Sequence, residues 1–406
     1  MYNLLNGLRV VEAAAFIAGP SCGLHLAQMG AEVIRIDQIG GGPDFRRWPL
    51  APGVGASLYW EGLNKAKKSV ALDLSRPEGR ELAAGIATAP GPNAGLFVTN
   101  FPAEGFLSYD RLRGRRDDLI CVRVMGWPDG RPAVDYTVNS AVGVPLMTGP
   151  ADGAEPVNHV LPAWDLLAGA YAAFALVAAE RSRRETGRGR EVRVPLSDLA
   201  IASLGHLGQI GEVLTGGQDR PRMGNDLYGA FGRDFLTADG QRLMIVAITP
   251  RQWKGLVAAL GLETPVAALE RELGVSFARD EGVRFIHRHR LAPLVETACA
   301  GRTAADLKAA FEARGVTWGP YQTLGQALRS DPYFNAANPV LTEVDHPSGA
   351  RYLTPGALAT LPQDHRAATV AAPTLGRDTD EVLAGVLGLS DAEIGRLRDA
   401  GLAGGA

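Results

Sequence analysis

Asp165 is the only charged residue in the apolar stretch LPAWDLLAGAYAAFALVAA (161–179), and it stands at the start of a segment patterned as a buried helix. A carboxylate in that position has two compatible readings. As an N-cap it would satisfy free backbone N–H groups and oppose the helix dipole, worth roughly 0.5–2 kcal/mol. It would equally hold an ionised oxygen nucleophile at the mouth of a cleft, with N–H groups beside the charge that develops during attack.

Other residues compete for the chemistry. GPSCG (19–23) fits the G-x-S-x-G elbow and lies between an apolar strand and a helical segment, which makes Ser21 a rival nucleophile and a serine hydrolase a rival function. Coming on the first strand, the motif leaves no earlier strand-to-helix loop for a second oxyanion donor. A Gly19 that allows close backbone approach and a Pro20 that opens a helix account for the same residues. The turn also aims helix N–H groups at an anion such as phosphate, and GGG at 40–42 is a second flexible candidate. Lys65, Lys67 and Lys68, with Arg46 and Arg47, are cations for phosphates or substrate carboxylates, against the plain reading of a solvated face. His287 and His289 fall on different sides of a helix and the other histidines are scattered, so no metal site is expected.

Groups like these need a scaffold. Short apolar, β-branched runs at 8–11, 32–36, 69–74, 95–100 and 119–126 alternate with helices expected near 20–30, 76–88 and 166–184, implying an α/β fold with a largely parallel sheet covered on both faces. A turn and strand follow at 185–196, then a helix from Ser197 to about Leu214. From 215 to 240 glycine and charge rise and the alternation lapses, as in a linker or a loop over a site. A second α+β unit is expected over 241–330, and a Pro-rich, then helical, segment over 331–406.

At 406 residues the chain exceeds one compact core, so two domains are expected. Lys plus Arg number 41 against 44 Asp plus Glu, with no long run of either sign, so neither nucleic acid nor a membrane surface is an expected partner. Cys22, Cys121 and Cys299 form no CxxC pair, which fits a reducing cytoplasm. The apolar run Leu166–Ala179 falls short of the roughly 18–20 residues of a membrane span.

Taken in order, GLRVVEAAAFIAGPSCGLHLAQMGAEVIRID (7–37), LNKAKKSVALDLSRPEGRELA (63–83), Asn100-Phe101, the Asp165 helix, TGRGREVRVPLSD (186–198) and PTLGRDTDEVL (373–383) resemble the class III CoA transferases through nearly the whole chain. The resemblance implies an interlocked, ring-like homodimer. Each chain would have a Rossmann-like large domain (1–214 and 331–406), a linker or active-site loop (215–240) and a smaller α+β domain (241–330). The substrate would be an acyl-CoA, with coenzyme A entering as part of it and no tightly bound cofactor. Asp165 aligns with the catalytic aspartate of the family. Ile17, Ala18, Leu72, Ser75, Asn100 and Phe101 fall at CoA-contact positions. Where relatives carry Gln and an adenine-facing Arg, this chain has Ile17 and Gln38, which leaves Arg35 or Arg47 to supply the missing charge.

Narrower motifs, IGGGPDFRRWP (39–49), NHVLPAWD (158–165) and GNDLYGAFGRDF (224–235), resemble one branch of that family, and this resemblance implies intramolecular CoA transfer between the two carboxylates of a C5 unsaturated dicarboxylate. The route would pass through an aspartyl anhydride and an aspartyl-CoA thioester, the alternative being intermolecular transfer between an acyl-CoA and a free acid. Arg47, with Arg46, would clamp the idle carboxylate. Tyr228, with Trp48, would shape the pocket, and Gly224 and Gly229 would let a cover exclude water. Related racemases carry His immediately before an Asp to move the α proton. Here Val134 precedes Asp135, so that partner is missing and acyl transfer is favoured.

Overall fold

The computed structural model describes residues 1–405. Strands β1 (Arg9–Ala13), β2 (Glu32–Gln38), β3 (Lys68–Leu72), β4 (Leu96–Thr99), β5 (Ile120–Met125) and β6 (Arg190–Pro195) are parallel and lie in the order 3-2-1-4-5-6. A two-residue strand at Ala403–Gly404 closes the β3 edge in antiparallel sense. Strands β1 to β5 are buried along nearly their whole length because helices cover both faces, which is why they read as continuous apolar runs, whereas the edge strand β6 is buried only at its end.

One face packs on the first helix (Ala18–Gln28) and the long helix (Ala163–Thr186), whose Ala168, Ala172, Leu176 and Ala179 enter the core with Val10, Val98 and Val122. The other face packs on helices Pro77–Ala87, Thr379–Leu387 and Asp391–Asp399. The long helix has 24 residues, more than the sequence suggested, and is apolar and long enough to cross a membrane by composition alone. Its small residues instead seat it against the first helix: a Cβ at Gly169 would lie 1.9 Å from Ser21 Oγ and 2.9 Å from the Ala18 carbonyl oxygen. It is a core helix of the sheet.

The chain divides into two compact units, Met1–Val142 with His159–Gly211 and Pro332–Ala406, and Gly143–Asn158 with Glu212–Asp331. The second unit holds the antiparallel strands β7 (Phe231–Leu236), β8 (Arg242–Ala247) and β9 (Thr317–Pro320), with helices around a core of Trp253, Phe277 and Phe311. Two boundaries differ from expectation. Residues 143–158, read as part of the large domain, belong to the second unit, and the presumed linker 215–240 contains β7. Within the first unit the C-terminal segment is tied to β3, where Asp378 accepts the Ser69 N–H at 2.8 Å.

Candidate active site

A cavity of about 930 Å³ opens at the carboxyl ends of β1, β4, β5 and β6. Connections from β1 run to β2 on one side, while β4 lies on the other, so this is the switch point of the sheet, where α/β proteins bind ligands. Ile17, Ala18, Asn100, Phe101, Arg47 and Asp165 all line it, as does Trp48.

The loop leaving β1 forms one wall and is held under strain. Phe16 has φ 68°, a left-handed conformation that costs a bulky residue roughly 1–3 kcal/mol. Asn100 clamps the preceding residue, accepting the Ala15 N–H at 3.0 Å and donating to its carbonyl at 2.7 Å. Asp44 accepts the Phe16 N–H at 3.0 Å. Asp44 is itself fixed by Arg35, whose guanidinium lies 3.3 Å away and also binds Asp37 at 2.7 Å, Glu12 at 3.1 Å and Asn64 at 3.1 Å.

Arg35 therefore takes no part in charge recognition: its side chain is 2% exposed and its donors are occupied by protein acceptors. Lys67 belongs to the same buried network, donating to Glu12, Asn64 and the Pro20 carbonyl at 2.8–2.9 Å. Together these contacts make a rigid floor beneath the strained loop.

Asp165 is the third residue of the long helix and not its cap. The cap is supplied from elsewhere: Asp135 Oδ2 accepts the N–H groups of Trp164 at 2.7 Å and Asp165 at 3.1 Å. Those donors are thereby spent, and the expectation that they ionise Asp165 and receive an oxyanion is not met. Burial, then the negative charge of Asp135, push the Asp165 carboxyl from 3.8 up to about 6, with Arg47 pulling the other way. At neutral pH the group is still mostly ionised, but it is a desolvated and more basic carboxylate, which makes it a stronger nucleophile.

Arg47 stacks on Phe16 and Tyr59, its guanidinium carbon 5.5 and 5.4 Å from their ring centres. The Tyr59 hydroxyl beside it is buried and donates to no acceptor among the described residues. Burial raises that phenol to about 12, so it stays a proton donor. A cation and a free O–H thus share a cavity with one uncapped carboxylate.

The chain has relatives. Residues 5–379 match CoA-transferase family III.

The chain belongs to CoA-transferase family III. It is 50% identical over 405 residues, covering 100% of this chain and 99% of the relative, to a 2-methylfumaryl-CoA isomerase of Chloroflexus aurantiacus. It is 28% identical over 97% of its length, and 96% of the relative's, to a succinyl-CoA–D-citramalate CoA-transferase of the same organism. Among solved structures, a CAIB/BAIF family protein from Brucella suis superposes with a TM-score of 0.76 at 26% identity, over 95% of this chain and 100% of that one.

The remaining positions expected from a CoA-transferase family III protein scatter. Leu72 is fully buried with its side chain in the core. Gln38, the last residue of β2, is exposed. Ser75 is also exposed, its hydroxyl donating to Asp73 at 2.6 Å. None of the three lines the cavity. Arg46 borders a different cavity of about 470 Å³, with Trp60, Glu61 and Ser348, so adjacent arginines serve different spaces and the two-arginine clamp is not formed. Tyr228 lies in the second unit, where its hydroxyl donates to Glu212 and the Arg220 guanidinium covers its ring at 3.9 Å. Lys68 bridges Glu32 and Glu381 at 2.7 Å.

Asp135, Tyr59 and His159 escaped the sequence reading as site residues. An imidazole does reach Asp135, though not from position 134: His159 Nε2 is 2.7 Å from Asp135 Oδ1.

The elbow reading of Ser21 fails on geometry. Gly19 is required because a Cβ would lie 2.4 Å from that of Ala14, and Gly23 because one would lie 1.9 Å from Glu12 Oε2. The Ser21 hydroxyl donates to the Ala18 carbonyl at 3.2 Å, facing the long helix in a residue 2% exposed. Ser21→Ala is accordingly expected to keep kcat within about twofold, since it loses one weak neutral hydrogen bond away from the cavity. Steady-state kinetics check it, and loss of activity in a folded variant would restore the hydrolase.

Proposed function

We propose that the chain moves CoA within one molecule, between the two carboxyl groups of an unsaturated C5 dicarboxylate, taking 2-methylfumaryl-CoA to 3-methylfumaryl-CoA. The observation carrying this reading is 50% identity along the full length to an enzyme named for that substrate. The cavity supplies a chemical route. Ionised Asp165 attacks the thioester carbonyl, the C–S bond breaks, and a mixed anhydride and CoA thiolate form. The thiolate attacks Cγ of Asp165, releasing the dicarboxylate and leaving aspartyl-CoA thioester. The dicarboxylate turns, its other carboxylate attacks that thioester, and the returning thiolate cleaves the second anhydride to give product and free Asp165. No proton is gained or lost over the cycle. Splitting one poor exchange into four acyl transfers is the gain from covalent catalysis.

Retention of the freed dicarboxylate is what separates isomerisation from ordinary transfer. Arg47 and Tyr59, one permanent cation and one unpartnered donor on the same cavity wall, hold the carboxylate that is not reacting. An interlocked homodimer belongs to the same proposal. It is supported by Leu166, Leu167, Tyr171 and Phe174 on the long helix and Leu207 beyond it, which are 37–71% exposed and need cover.

Crossover labelling tests the function. With carbon-labelled acyl-CoA and excess unlabelled free dicarboxylate, label is expected to stay in the CoA pool while the two thioesters equilibrate. Rapid scrambling into free acid would instead identify an intermolecular transferase.

A further inference from the structure

Asp135 connects an imidazole to the candidate nucleophile. Its Oδ2 holds the Trp164 and Asp165 N–H groups, and its Oδ1 takes His159 Nε2 at 2.7 Å. His159 is absent from the cavity wall, packs edge-on against Tyr136 at 5.9 Å and leaves Asp135 1% exposed. Its contact with the site runs through Asp135. We infer that His159 is a positioning residue for the nucleophile, acting through Asp135, the carboxylate that it holds by one oxygen while the other caps the Asp165 helix.

An ionised carboxylate only accepts, so Nε2 carries the hydrogen in either protonation state of His159. As neutral imidazole it draws charge from Asp135 by hydrogen bonding, and as imidazolium it cancels that charge. Either way the repulsion on Asp165 falls, and removing His159 restores it. The other groups around Asp165 are accounted for: Arg47 attracts, Tyr59 remains a neutral phenol, and Asp44 is paired with Arg35. The sign follows. Losing His159 strengthens the field of Asp135 and raises the Asp165 titration, while Asp135→Asn removes the field and lowers it.

The inference rests on the nucleophilic role of Asp165 only for its kinetic readout, so two readouts are needed. The pH dependence of the melting-temperature difference between each protein and its Asp165→Asn derivative reports the titration of Asp165 whatever its chemistry. The acid limb of kcat reports the titration of the nucleophile. His159→Ala is expected to move both midpoints up by about 0.5–1 pH unit, His159→Gln by less because it keeps an N–H donor, and Asp135→Asn to move both down. A melting-difference midpoint unmoved in folded His159→Gln and His159→Ala overturns the inference. If that midpoint moves while the kcat limb stays, the positioning role holds and the nucleophilic assignment of Asp165 falls.

Discussion

Asp165→Asn is expected to lower kcat by at least about 10⁴-fold and, above pH 6, to make the protein more stable. The kinetic part follows from a covalent cycle with one nucleophile: an amide cannot form the anhydride, and no other uncapped carboxylate lines the cavity among the described residues. The stability part follows from the environment. The carboxyl titrates at about 6 in the fold against an ordinary 3.8, raised by burial and by Asp135. Between those values the folded protein keeps a proton that the unfolded chain releases, so stability falls as pH rises through the window and stays lower above it. Two units correspond to roughly 3 kcal/mol, and water in the open cavity reduces this to about 1–2 kcal/mol, or a few degrees in melting temperature. Asparagine has no charge to bury, so its advantage should grow from pH 4 to pH 6 and then level off. Calorimetry of both proteins across that range checks it. A variant that loses activity with no pH-dependent stability gain would mean that Asp165 sits in a wetter place than the cavity implies.

The parallel sheet was legible because strands covered on both faces must be apolar throughout, and β1 to β5 lie within a residue or two of the runs that suggested them. The position of Asp165 was legible for the converse reason, as the lone charge in the apolar first part of a helix whose small residues enter the core. What the sequence could not reveal were charges whose partners come from other elements. Arg35 looked available because nothing in EVIRID marks its fate, but the register that sets it opposite Glu12 in β1 places both in the interior with Lys67. Asp135 lies 30 residues before the N–H group it caps, and the helix start at Ala163 lacks the usual Ser, Thr or Asp because its cap is borrowed. In the elbow-like GPSCG two close-packing glycines happen to flank a serine, and the account the sequence favoured, a Gly19 that allows close backbone approach, is the one the packing bears out. The second unit escaped in part because 143–158 precedes the helix that carries Asp165, and only tertiary contact joins it to residues beyond 212.

Arg47→Gln is expected to lower kcat/KM by roughly 30- to 1,000-fold, the range for truncating one partner of a desolvated, charge-assisted carboxylate contact at about 2–4 kcal/mol. The more informative consequence concerns where the acyl group goes. Between the two anhydrides the dicarboxylate is bound by no covalent link, and its residence depends on the clamp. With Arg47 gone, Tyr59 offers one neutral hydrogen bond, and the free acid should escape before the second transfer. Label should then cross into added free dicarboxylate, and aspartyl-CoA should accumulate or hydrolyse, so an isomerase is turned into a leaky transferase. Arg47→Lys should not restore retention, because a point charge cannot make two parallel bonds to a carboxylate while stacked between Phe16 and Tyr59. Arg47 also attracts the Asp165 carboxylate, so its loss raises the Asp165 titration further, and the comparison belongs near pH 8, where Asp165 is ionised in both proteins. Tyr59→Phe serves as the graded case, with a loss of about 3- to 15-fold, and partial escape. A clamp at Arg47 does not survive a variant that keeps kcat/KM within threefold and holds its label, and the idle carboxylate would then have to be held from outside this cavity.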